Sequence, residues 1–325
     1  MGVDGSDRWQ GEGELRVDRQ AEVTKAADAL RAGGLVLLPT ETVYGLGADA
    51  SNPTAVAAIF EAKGRPRFNP LIAHVADLET AGRIADLDDR AVALARAFWP
   101  GPLTIVAPIK DAGAVCDLAR AGLDTVAIRV PGHRLARAVL ESFGGAVVAP
   151  SANRSGRPSP TTFADAMAET GDKAAAALDG GPSAVGLEST VVSVLEGEAR
   201  LLRPGAVTRA QLARIVGPLA EAEDDAKRSP GRLALHYAPD APVRINARAP
   251  EAGEAFLAFG PDVEGQMIFN LSPTGDLAEA AANLFSFLRA ADRTKPSTIA
   301  VAPIPEDGLG EAINDRLRRA AGFIG

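Results

Sequence analysis

Residues 34–49 read GLVLLPTETVYGLGAD, and the rest of the chain is organised around this stretch. The apolar run 35–38 predicts a strand buried on both faces, which Pro39 ends because proline has no N–H to donate to a neighbouring strand. Residues 40–44 then supply hydrogen-bonding side chains, and two glycines beyond them allow close approach to the backbone. Open α/β sheets bind ligands where a buried strand ends in such a polar, glycine-rich loop. An ordinary strand-to-helix connection has the same features.

The length and composition predict a globular protein with two domains. The chain has 325 residues, of which 46% are hydrophobic and 23% charged, which is typical of a soluble globular protein. The single cysteine, Cys116, excludes an internal disulfide framework and favours a reducing cytoplasm. We expect no membrane span and no secretory signal, and we expect residues 1–18 to form a disordered tail. The net charge of −8 argues against broad, non-specific nucleic-acid binding.

Two kinds of site are poorly supported by the sequence. Only three histidines and one cysteine are present, so we expect neither a His/Cys metal site nor a Cys–His catalytic pair. Residues 45–50 match the dinucleotide pattern G-x-G-x-x-A, but Asn52 and Pro53 follow them as an N-cap and a first helical residue. The second half of the pattern therefore does not open a helix, and we exclude a dinucleotide fingerprint.

A second informative stretch, KGRPRFNPLIAHV, occupies residues 63–75. It places three cations in a short loop with two prolines: Lys63, Arg65 and Arg67. Clusters of this kind are usually solvated surface charge. The prolines fix this loop and apolar strands flank it, so the cations lie near an edge of the core. In a net-acidic protein this favours an anion site, and arginine is suited to bidentate phosphate contacts.

A single arginine interrupts the apolar run of residues 125–130. Arg129 has no obvious partner nearby in the sequence, and a buried arginine without an anionic partner costs several kcal/mol. That partner is either a carboxylate of this protein or the carboxylate of a substrate. A further strand, at 146–150, runs directly into the small polar residues SANRSG at 151–156.

The last third of the chain changes character. Residues 219–241 contain an acidic run, a Ser-Pro-Gly turn and a His-Tyr pair, which is typical of an inter-domain linker. Strands then alternate with helices in a small α/β domain without a visible chemical cluster. The predicted strands are 243–246, 256–259, 267–271 and 298–303, and the predicted helices lie near 276–292 and 308–321. We thus expect one domain at 19–218, a linker or lid at 219–241, and a second domain at 242–325.

Six motifs in order give the chain a family resemblance: PTETVYGLG, KGRPRFNPL, TVAIRVPGH, APSAN, ESTVV and LRPG. Together they resemble the YrdC-like threonylcarbamoyl-AMP synthases, and SPGRLALHYAP with the trailing domain resembles the two-domain form of that family. The resemblance covers roughly residues 20–325. It implies a twisted, open, mixed-sheet α/β catalytic domain with a concave, positively charged face, followed by a smaller Rossmann-like α/β domain.

The resemblance also implies a reaction. A nucleotidyltransferase would convert L-threonine, bicarbonate or CO2, and ATP into L-threonylcarbamoyladenylate and pyrophosphate. The product would pass to the tRNA threonylcarbamoyl transferase machinery for tRNA threonylcarbamoyladenosine formation. Mg²⁺ would arrive with ATP, without a dedicated protein site. No covalent protein nucleophile is required, because the threonine amine captures CO2 and the carbamate attacks phosphorus.

The family's site residues carry over position by position. The catalytic signature falls on Lys63, Arg65, Ser151 and Asn153. The implied ATP-binding residues are Lys63, Arg65, Asn69, Thr125, Ser151, Ser159, Arg203 and Tyr237. The implied threonine-binding residues are Thr42, His74, Arg129, Ser189 and, through its backbone, Ala149. One departure is the segment RLAL at 232–235, where the family usually has a methionine and further polar or aromatic residues, so linker contacts beyond the His-Tyr pair do not carry over.

Two other functions compete with this one. A double-stranded RNA-binding or ribosome-associated module would use the same basic face, and weak RNA binding is also a prediction for the enzyme, although the net charge weighs against it. A related carbamoyl-adenylate transferase would carry metal-binding domains that this sequence lacks. The segment 229–239 suggests a lid that closes over the adenylate. The alternative is that Tyr237 only packs against the second domain.

Overall fold

The structure is a computed structural model that describes residues 17–65, 69–195, 197–220, 236–261, 263 and 265–322. Several predictions concern other parts of the chain and so lie outside the described residues. They are those on the tail before residue 17, on Arg67, and on the part of the linker at 221–235.

The described part of the N-terminal domain combines nine strands with eight α-helices. The strands are β1 (Leu35–Leu38), β2 (Gly45–Asp49), β3 (Ile72–His74), β4 (Leu103–Pro108), β5 (Thr125–Arg129), β6 (Val147–Val148), β7 (Ala174–Ala177), β8 (Thr190–Leu195) and β9 (Glu198–Arg203). The helices are α1 (Val17–Arg31), α2 (Pro53–Lys63), α3 (Leu78–Ile84), α4 (Asp89–Phe98), α5 (Asp117–Arg120), α6 (Arg134–Phe143), α7 (Phe163–Thr170) and α8 (Arg209–Val216).

The nine strands form one mixed sheet in the order β7-β1-β2-β6-β3-β5-β4-β8-β9. Parallel pairs such as β3 with β5 and β4 with β8 alternate with antiparallel pairs such as β1 with β2 and β8 with β9. The predicted mixed-sheet α/β fold is therefore confirmed. Strands that are distant in sequence are neighbours in the sheet, so residues from the whole domain meet on one surface.

Strand β1 is buried on both faces, as its apolar run predicts. Leu35 and Leu37 pack into the cluster that contains α2, whereas Val36 and Leu38 pack into the cluster that contains α1 and α6. Alternate side chains of a strand point to opposite faces, so an uninterrupted apolar run is what a sheet covered on both sides requires.

The glycine-rich segment after β1 is a strand and not the predicted loop. Residues Gly45–Asp49 form β2, which pairs with β1 on one side and β6 on the other. Added Cβ atoms would meet the Ala149 side chain at 3.1 Å from Gly45 and the Val147 side chain at 3.0 Å from Gly47. The glycines thus allow close approach, as predicted, but the approaching group is the neighbouring strand and its extension.

The predicted helix caps are present. The Asn52 side chain accepts bonds from the first turn of α2, and Pro53 is the first helical residue. Thr208 and Gln211 form a reciprocal capping box at α8. Gly33 has a φ of +79° after α1, which is the left-handed conformation expected of a residue that follows a helix.

The C-terminal domain is a four-stranded parallel sheet with two helices. Its strands are β10 (Val243–Arg244), β11 (Ala255–Ala258), β12 (Ile268–Asn270) and β13 (Ile299–Val301), in the order β10-β13-β11-β12. Its helices are α9 (Leu277–Arg293) and α10 (Leu309–Ala320). All three strand pairs are parallel, which agrees with the predicted small α/β domain. Strand β11 has the predicted length but begins one residue earlier, and the other three strands are shorter than the sequence predicts.

One apolar cluster joins the two domains. Val43, Val185 and Leu187 of the N-terminal domain are buried together with Phe285 of α9 and Ile313 of α10. The contact is a shared core and not a loose tether. It lies directly beside the segment that follows β1, and this proximity brings the C-terminal domain close to the candidate site.

Candidate active site

A small cavity brings together residues from most of the N-terminal sheet. Its enclosed volume is about 50 Å³, which holds only one or two water molecules. The predicted site residues that line it are Thr42, Arg65, His74, Arg129, Ala149, Ser151, Ser189, Arg203 and Tyr237. Residues that are far apart in the sequence and that were selected by motif therefore share one site.

Two predicted catalytic residues lie behind the cavity wall. The Lys63 ammonium, at the end of α2, donates hydrogen bonds to the backbone carbonyls of Ser151 and Asn153. The Asn153 amide donates to the carbonyls of Arg154 at 2.8 Å and Arg157 at 2.9 Å, while its own oxygen has no partner among the described residues. Lys63 thus fixes the backbone that follows β6.

Three other predicted residues are buried next to the lining. Ser159 donates to Glu188, which does line the cavity. Thr125 and Asn69 are both 6% exposed. Because β3 and β5 run parallel, with Ile72 beside Ala127, the start of β5 lies beside the residues that precede β3. Thr125 and Asn69 therefore share the end of the site where Arg65 lies.

Positive charge is concentrated at this end. Burial lowers the pKa of the Lys63 ammonium well below its ordinary value, and the nearby Arg65 lowers it further. Burial, opposed by Tyr237 and reinforced by Arg203, lowers the pKa of Arg65 to about 10. Burial and Arg316 likewise lower the pKa of Arg203. These groups repel one another in a poorly solvated place, which is the electrostatic condition of an anion-binding site.

Two buried nitrogens at this end lack partners among the described residues. They are Nε of Arg65, which is a donor, and Nδ1 of His236, which donates or accepts according to the tautomer. Burial lowers the pKa of His236 well below its ordinary value, and Arg65 and Lys63 add to the effect. Unsatisfied buried nitrogens cost free energy in the folded protein, so their clustering here indicates a place prepared for a hydrogen-bond acceptor.

Arg129 has a protein partner, which is the first of the two alternatives that the sequence leaves open. One of its amino groups contacts the Glu41 carboxylate at 2.5 Å, and the other donates to Thr42 Oγ1 at 3.0 Å. The Glu41 Oε2 atom has no partner among the described residues. The sequence does not reveal this pair, because the loop after β1 and the end of β5 meet only in the folded sheet. Arg129 still lines the cavity and can bind a ligand carboxylate while it contacts Glu41.

His74 lies beside Arg129 in the parallel pair of β3 with β5. Burial, and then the neighbouring Arg129 charge, lower the pKa of His74 to about 3. The imidazole is therefore neutral at physiological pH. Its Nδ1 lies 3.1 Å from the carbonyl oxygen of Ile72, so the ring is held in place by its own strand.

Ser189 and Arg203 connect the opposite wall. Ser189 Oγ lies 2.7 Å from Thr104 Oγ1 and accepts from Arg203 at 3.2 Å. Arg203 also donates to the Ser189 carbonyl at 2.9 Å. The ends of β8 and β9 thus fix each other, and both residues face the cavity.

Tyr237 has the contacts expected of a lid residue and also those expected of a residue that packs against the second domain. It lines the cavity, yet it is only 1% exposed and its ring packs against Phe285 of the second domain, with centroids 5.3 Å apart. The following residue, Ala238, donates its N–H to the Gly156 carbonyl of the first domain at 2.8 Å. Residues 237–238 therefore connect the two domains next to the site.

Sequence reasoning missed two residues of the site. Glu188 is the one carboxylate among the described residues that line the cavity, and in the sequence it is only the first residue of the ESTVV motif. Arg316 of α10 contacts Glu188 from the second domain. The signal for Arg316 was its spacing, since it lies on the same helix face as Ile313, Leu317 and Ala320, which are buried.

The described part of the chain contains no group of three or more His, Cys, Asp and Glu side chains arranged to hold a metal ion. No described helix combines the length and apolarity needed to cross a bilayer.

Comparisons with known proteins agree with the geometry. A family model described as Telomere recombination (Sua5, yciO, yrdC) matches residues 28–205, and one described as Threonylcarbamoyl-AMP synthase, C-terminal domain, matches 207–322. The threonylcarbamoyl-AMP synthase of Bacillus subtilis is 38% identical over 93% of both chains. That of Pyrococcus abyssi is 39% identical over 92% of this chain and 93% of its own. A crystal structure of P. abyssi Sua5 complexed with L-threonine superposes with a TM-score of 0.87, at 37% identity and 96% coverage of each chain.

Proposed function

The chain belongs to the threonylcarbamoyl-AMP synthase family, and from this premise we propose how its cavity makes the adenylate. The enzyme is a nucleotidyltransferase that converts L-threonine, bicarbonate or CO2, and ATP into L-threonylcarbamoyladenylate and pyrophosphate. The product serves tRNA threonylcarbamoyladenosine formation.

The observation that carries the proposal is the buried cluster of Lys63, Arg65 and Arg203. Burial lowers the pKa of each, and a neighbouring cation lowers it further: Arg65 beside Lys63, Arg203 beside Arg65, and Arg316 beside Arg203. A bound triphosphate would relieve this repulsion and would supply acceptors for the unpartnered Nε of Arg65. We therefore assign the phosphates of ATP to this end, with Asn69, Thr125, Ser151, Asn153, Ser159 and Tyr237 as the further ATP-binding residues.

The opposite end suits an amino acid. Thr42, His74, Arg129 and Ser189 line it together with the backbone of Ala149. Arg129 would share its charge between Glu41 and the threonine carboxylate. The neutral His74 ring and the hydroxyls of Thr42 and Ser189 offer hydrogen bonds to the amine and the hydroxyl of threonine. The P. abyssi relative has been crystallised with L-threonine, which supports a threonine subsite in this chain.

The chemistry is positioning and charge stabilisation. The threonine nitrogen attacks the carbon of CO2 and loses a proton, which gives a carbamate. A carbamate oxygen then attacks the α-phosphorus of ATP, and the bond to the bridging oxygen of pyrophosphate breaks. Lys63, Arg65 and Arg203 stabilise the negative charge that develops on the phosphoryl oxygens and on the leaving pyrophosphate.

We propose that Mg²⁺ enters bound to ATP. The residues present do not offer it a site of their own, because the single lining carboxylate, Glu188, is already bonded to Ser159 and Arg316. The remaining assignments are likewise proposals. The product passes to the tRNA threonylcarbamoyl transferase machinery, and the protein binds RNA weakly. The protein is cytoplasmic. The catalytic domain spans 19–218, the linker 219–241 and the second domain 242–325.

We further propose that residues 219–241 act as a lid. The cavity encloses only about 50 Å³, so a wall must move before a nucleotide can enter. His236 and Tyr237 form the wall nearest the second domain and are held by single backbone bonds on either side, from His236 to the Arg319 carbonyl at 3.4 Å and from Ala238 to Gly156. Opening this segment would expose the Tyr237 ring, which is 1% exposed and packs on Phe285, but would leave intact the sheet that forms the other walls.

The test is an assay of pyrophosphate release across the amino acids, with and without bicarbonate. We expect release to require ATP, bicarbonate and L-threonine together. Thermal protection provides the second arm, in which the three substrates should raise the melting temperature and double-stranded RNA should have a small effect. If RNA protects the protein and no threonine-dependent pyrophosphate release is found, the proposed enzyme function is wrong and the RNA-binding module is favoured.

A further inference from the structure

A buried arginine of the C-terminal domain reaches the wall of the cavity. Arg316 of α10 is 0% exposed. Its Nε donates to Glu188 Oε2 at 3.1 Å, and one of its amino groups donates to the Pro204 carbonyl at 2.8 Å. The second domain thus places one guanidinium between the loops that precede β8 and follow β9.

Its partner Glu188 occupies an unfavourable place for a carboxylate. It lines the cavity beside Arg203, where the proposed function requires a polyanion to bind. Its Oε1 accepts a bond from Ser159, and its Oε2 is bonded to Arg316. Without Arg316 this carboxylate would lose its closest counter-charge. It would then repel a triphosphate and compete with it for Lys63 and Arg203, which already interact with Glu188.

The same guanidinium also contacts the other wall. Its carbon lies 5.6 Å from the centroid of the Tyr237 ring, which lines the cavity and packs on Phe285. The charge of Arg316 is secure in this place: burial opposes it, but Tyr237, Glu188 and Asp315 together raise its pKa above the ordinary arginine value.

We infer that Arg316 is a positioning residue for ATP, which neutralises Glu188 from the second domain and thereby keeps Ser159 and Tyr237 in place. Arg316 does not itself touch substrate. The inference rests on the proposed function, and it gives the C-terminal domain a defined part in the reaction: it supplies the counter-charge that lets an acidic residue remain in a phosphate-binding cavity.

The test compares four full-length proteins: the wild type, Arg316→Met, Glu188→Gln, and the two substitutions combined. Michaelis constants for ATP and for threonine are measured by pyrophosphate release, and folding is checked by thermal unfolding. Arg316→Met should raise KM for ATP on the order of tenfold, with less than a threefold change in KM for threonine. Adding Glu188→Gln to Arg316→Met should recover most of the ATP loss, because the uncompensated charge is gone.

A matched control lies on the same helix. Arg318 is 45% exposed and pairs with the exposed Glu306, so Arg318→Met should leave both Michaelis constants within about twofold of wild type. If Arg316→Met does not fold, Glu188→Gln and the double variant decide. The inference expects their KM values for ATP to agree within about threefold.

Two outcomes would overturn the inference while leaving the proposed function intact. The first is an active Arg316→Met enzyme whose KM for ATP is unchanged. The second is a double variant whose loss equals the product of the two single losses, which would show that Arg316 and Glu188 act independently. Failure of the proposed function gives a different result, since the wild type itself would then show no threonine-dependent pyrophosphate release.

Discussion

Two groups of buried or partly buried cations differ in what holds them. The cavity cations Lys63, Arg65 and Arg203 donate to backbone carbonyls, namely those of Ser151 and Asn153, of Pro70, and of Ser189. The interface arginines Arg157, Arg289 and Arg316 instead meet carboxylates, with Asp240 at 2.7 Å, Glu169 at 2.9 Å and Glu188 at 3.1 Å.

The pKa shifts of the cavity cations are opposite in sign to those of Arg157 and Arg316. Burial is the main cause that lowers the pKa values of Lys63, Arg65 and Arg203, and a neighbouring arginine adds to it in each case. The pKa of Arg157 is raised by its bond to Asp240, and that of Arg316 is raised despite burial by Tyr237, Glu188 and Asp315. A carboxylate partner completes a charge within the protein, whereas carbonyl partners orient a charge and leave it able to bind an anion. Among these six cations the partner therefore separates the interface group from the cavity group, whereas Arg129 combines a carboxylate partner, Glu41, with a place in the cavity lining.

The largest expected effect is on stability, at the interface. Arg289 of α9 is 8% exposed and bonds to Glu169 of α7 in the other domain. Arg289→Met should lower the free energy of unfolding by about 3 kcal/mol, near the low end for a broken buried pair, because Glu169 keeps its contacts with Arg154 and Arg157. Denaturant unfolding measures this.

The control is an exposed pair across the same interface. Arg209 and Glu311 are 3.0 Å apart and are 45% and 32% exposed, so Arg209→Met should cost less than about 1 kcal/mol. Equal losses from Arg289→Met and Arg209→Met would contradict the assignment of a structural role to burial and carboxylate pairing.

The next largest effect is on activity, in the cavity. Arg65→Ala should lower turnover roughly 10²-fold, as loss of one charge-stabilising group does, while the protein keeps its melting temperature within a few degrees. The reason is that, within the described part of the chain, the Arg65 side chain makes one long hydrogen bond, to the Pro70 carbonyl at 3.5 Å. Pyrophosphate release and thermal unfolding on the same samples separate the two effects. A folded Arg65→Ala protein with normal turnover would remove Arg65 from the catalytic group.

The smallest expected effect is on the pH dependence of stability, which depends on the burial of His74 beside Arg129. The pKa of His74 falls from 6.5 to about 3 in the folded protein, so between these values the unfolded chain binds a proton that the folded one does not. The free energy of unfolding should therefore rise with pH, with His74 contributing about 1.4 kcal/mol for each pH unit. This stability is lost as pH falls below about 6.5. In His74→Gln the dependence between pH 5 and pH 6 should be weaker by that amount, and an unchanged slope would show that His74 is not held neutral.

The sequence predicted what depends on local pattern. The apolar run of β1, the Asn52-Pro53 start of α2 and the Thr208–Gln211 capping box are all present. So are the mixed sheet and the second α/β domain. Motif resemblance also selected nine residues that share one cavity, although which of them bind ATP and which bind threonine stays a prediction.

The rest depended on contacts that a single sequence does not show. The sequence of Gly45–Asp49 is typical of a loop, but the segment is a strand. The side chains of Ala149 and Val147 occupy the space that side chains at positions 45 and 47 would need. The Glu41 partner of Arg129 comes from another strand's end. Arg316 is one of several arginines in α10. Its spacing indicates burial, but its partner Glu188 is seen only in the folded protein. Pairing partners are set by the topology of the sheet, which local propensity does not determine.

The order of strands in the large sheet also sets when the site can form during synthesis. Leu35 near the start of the chain pairs with Ala174, and Leu103 pairs with Thr190, while β9 at the sheet's edge supplies Arg203. Each half of the sheet is thus completed by a strand that leaves the ribosome late, and these distant pairings are the slow ones to close. A nascent chain that ends before residue 203 contains Thr42, Lys63 and Arg129 but lacks part of the cavity wall.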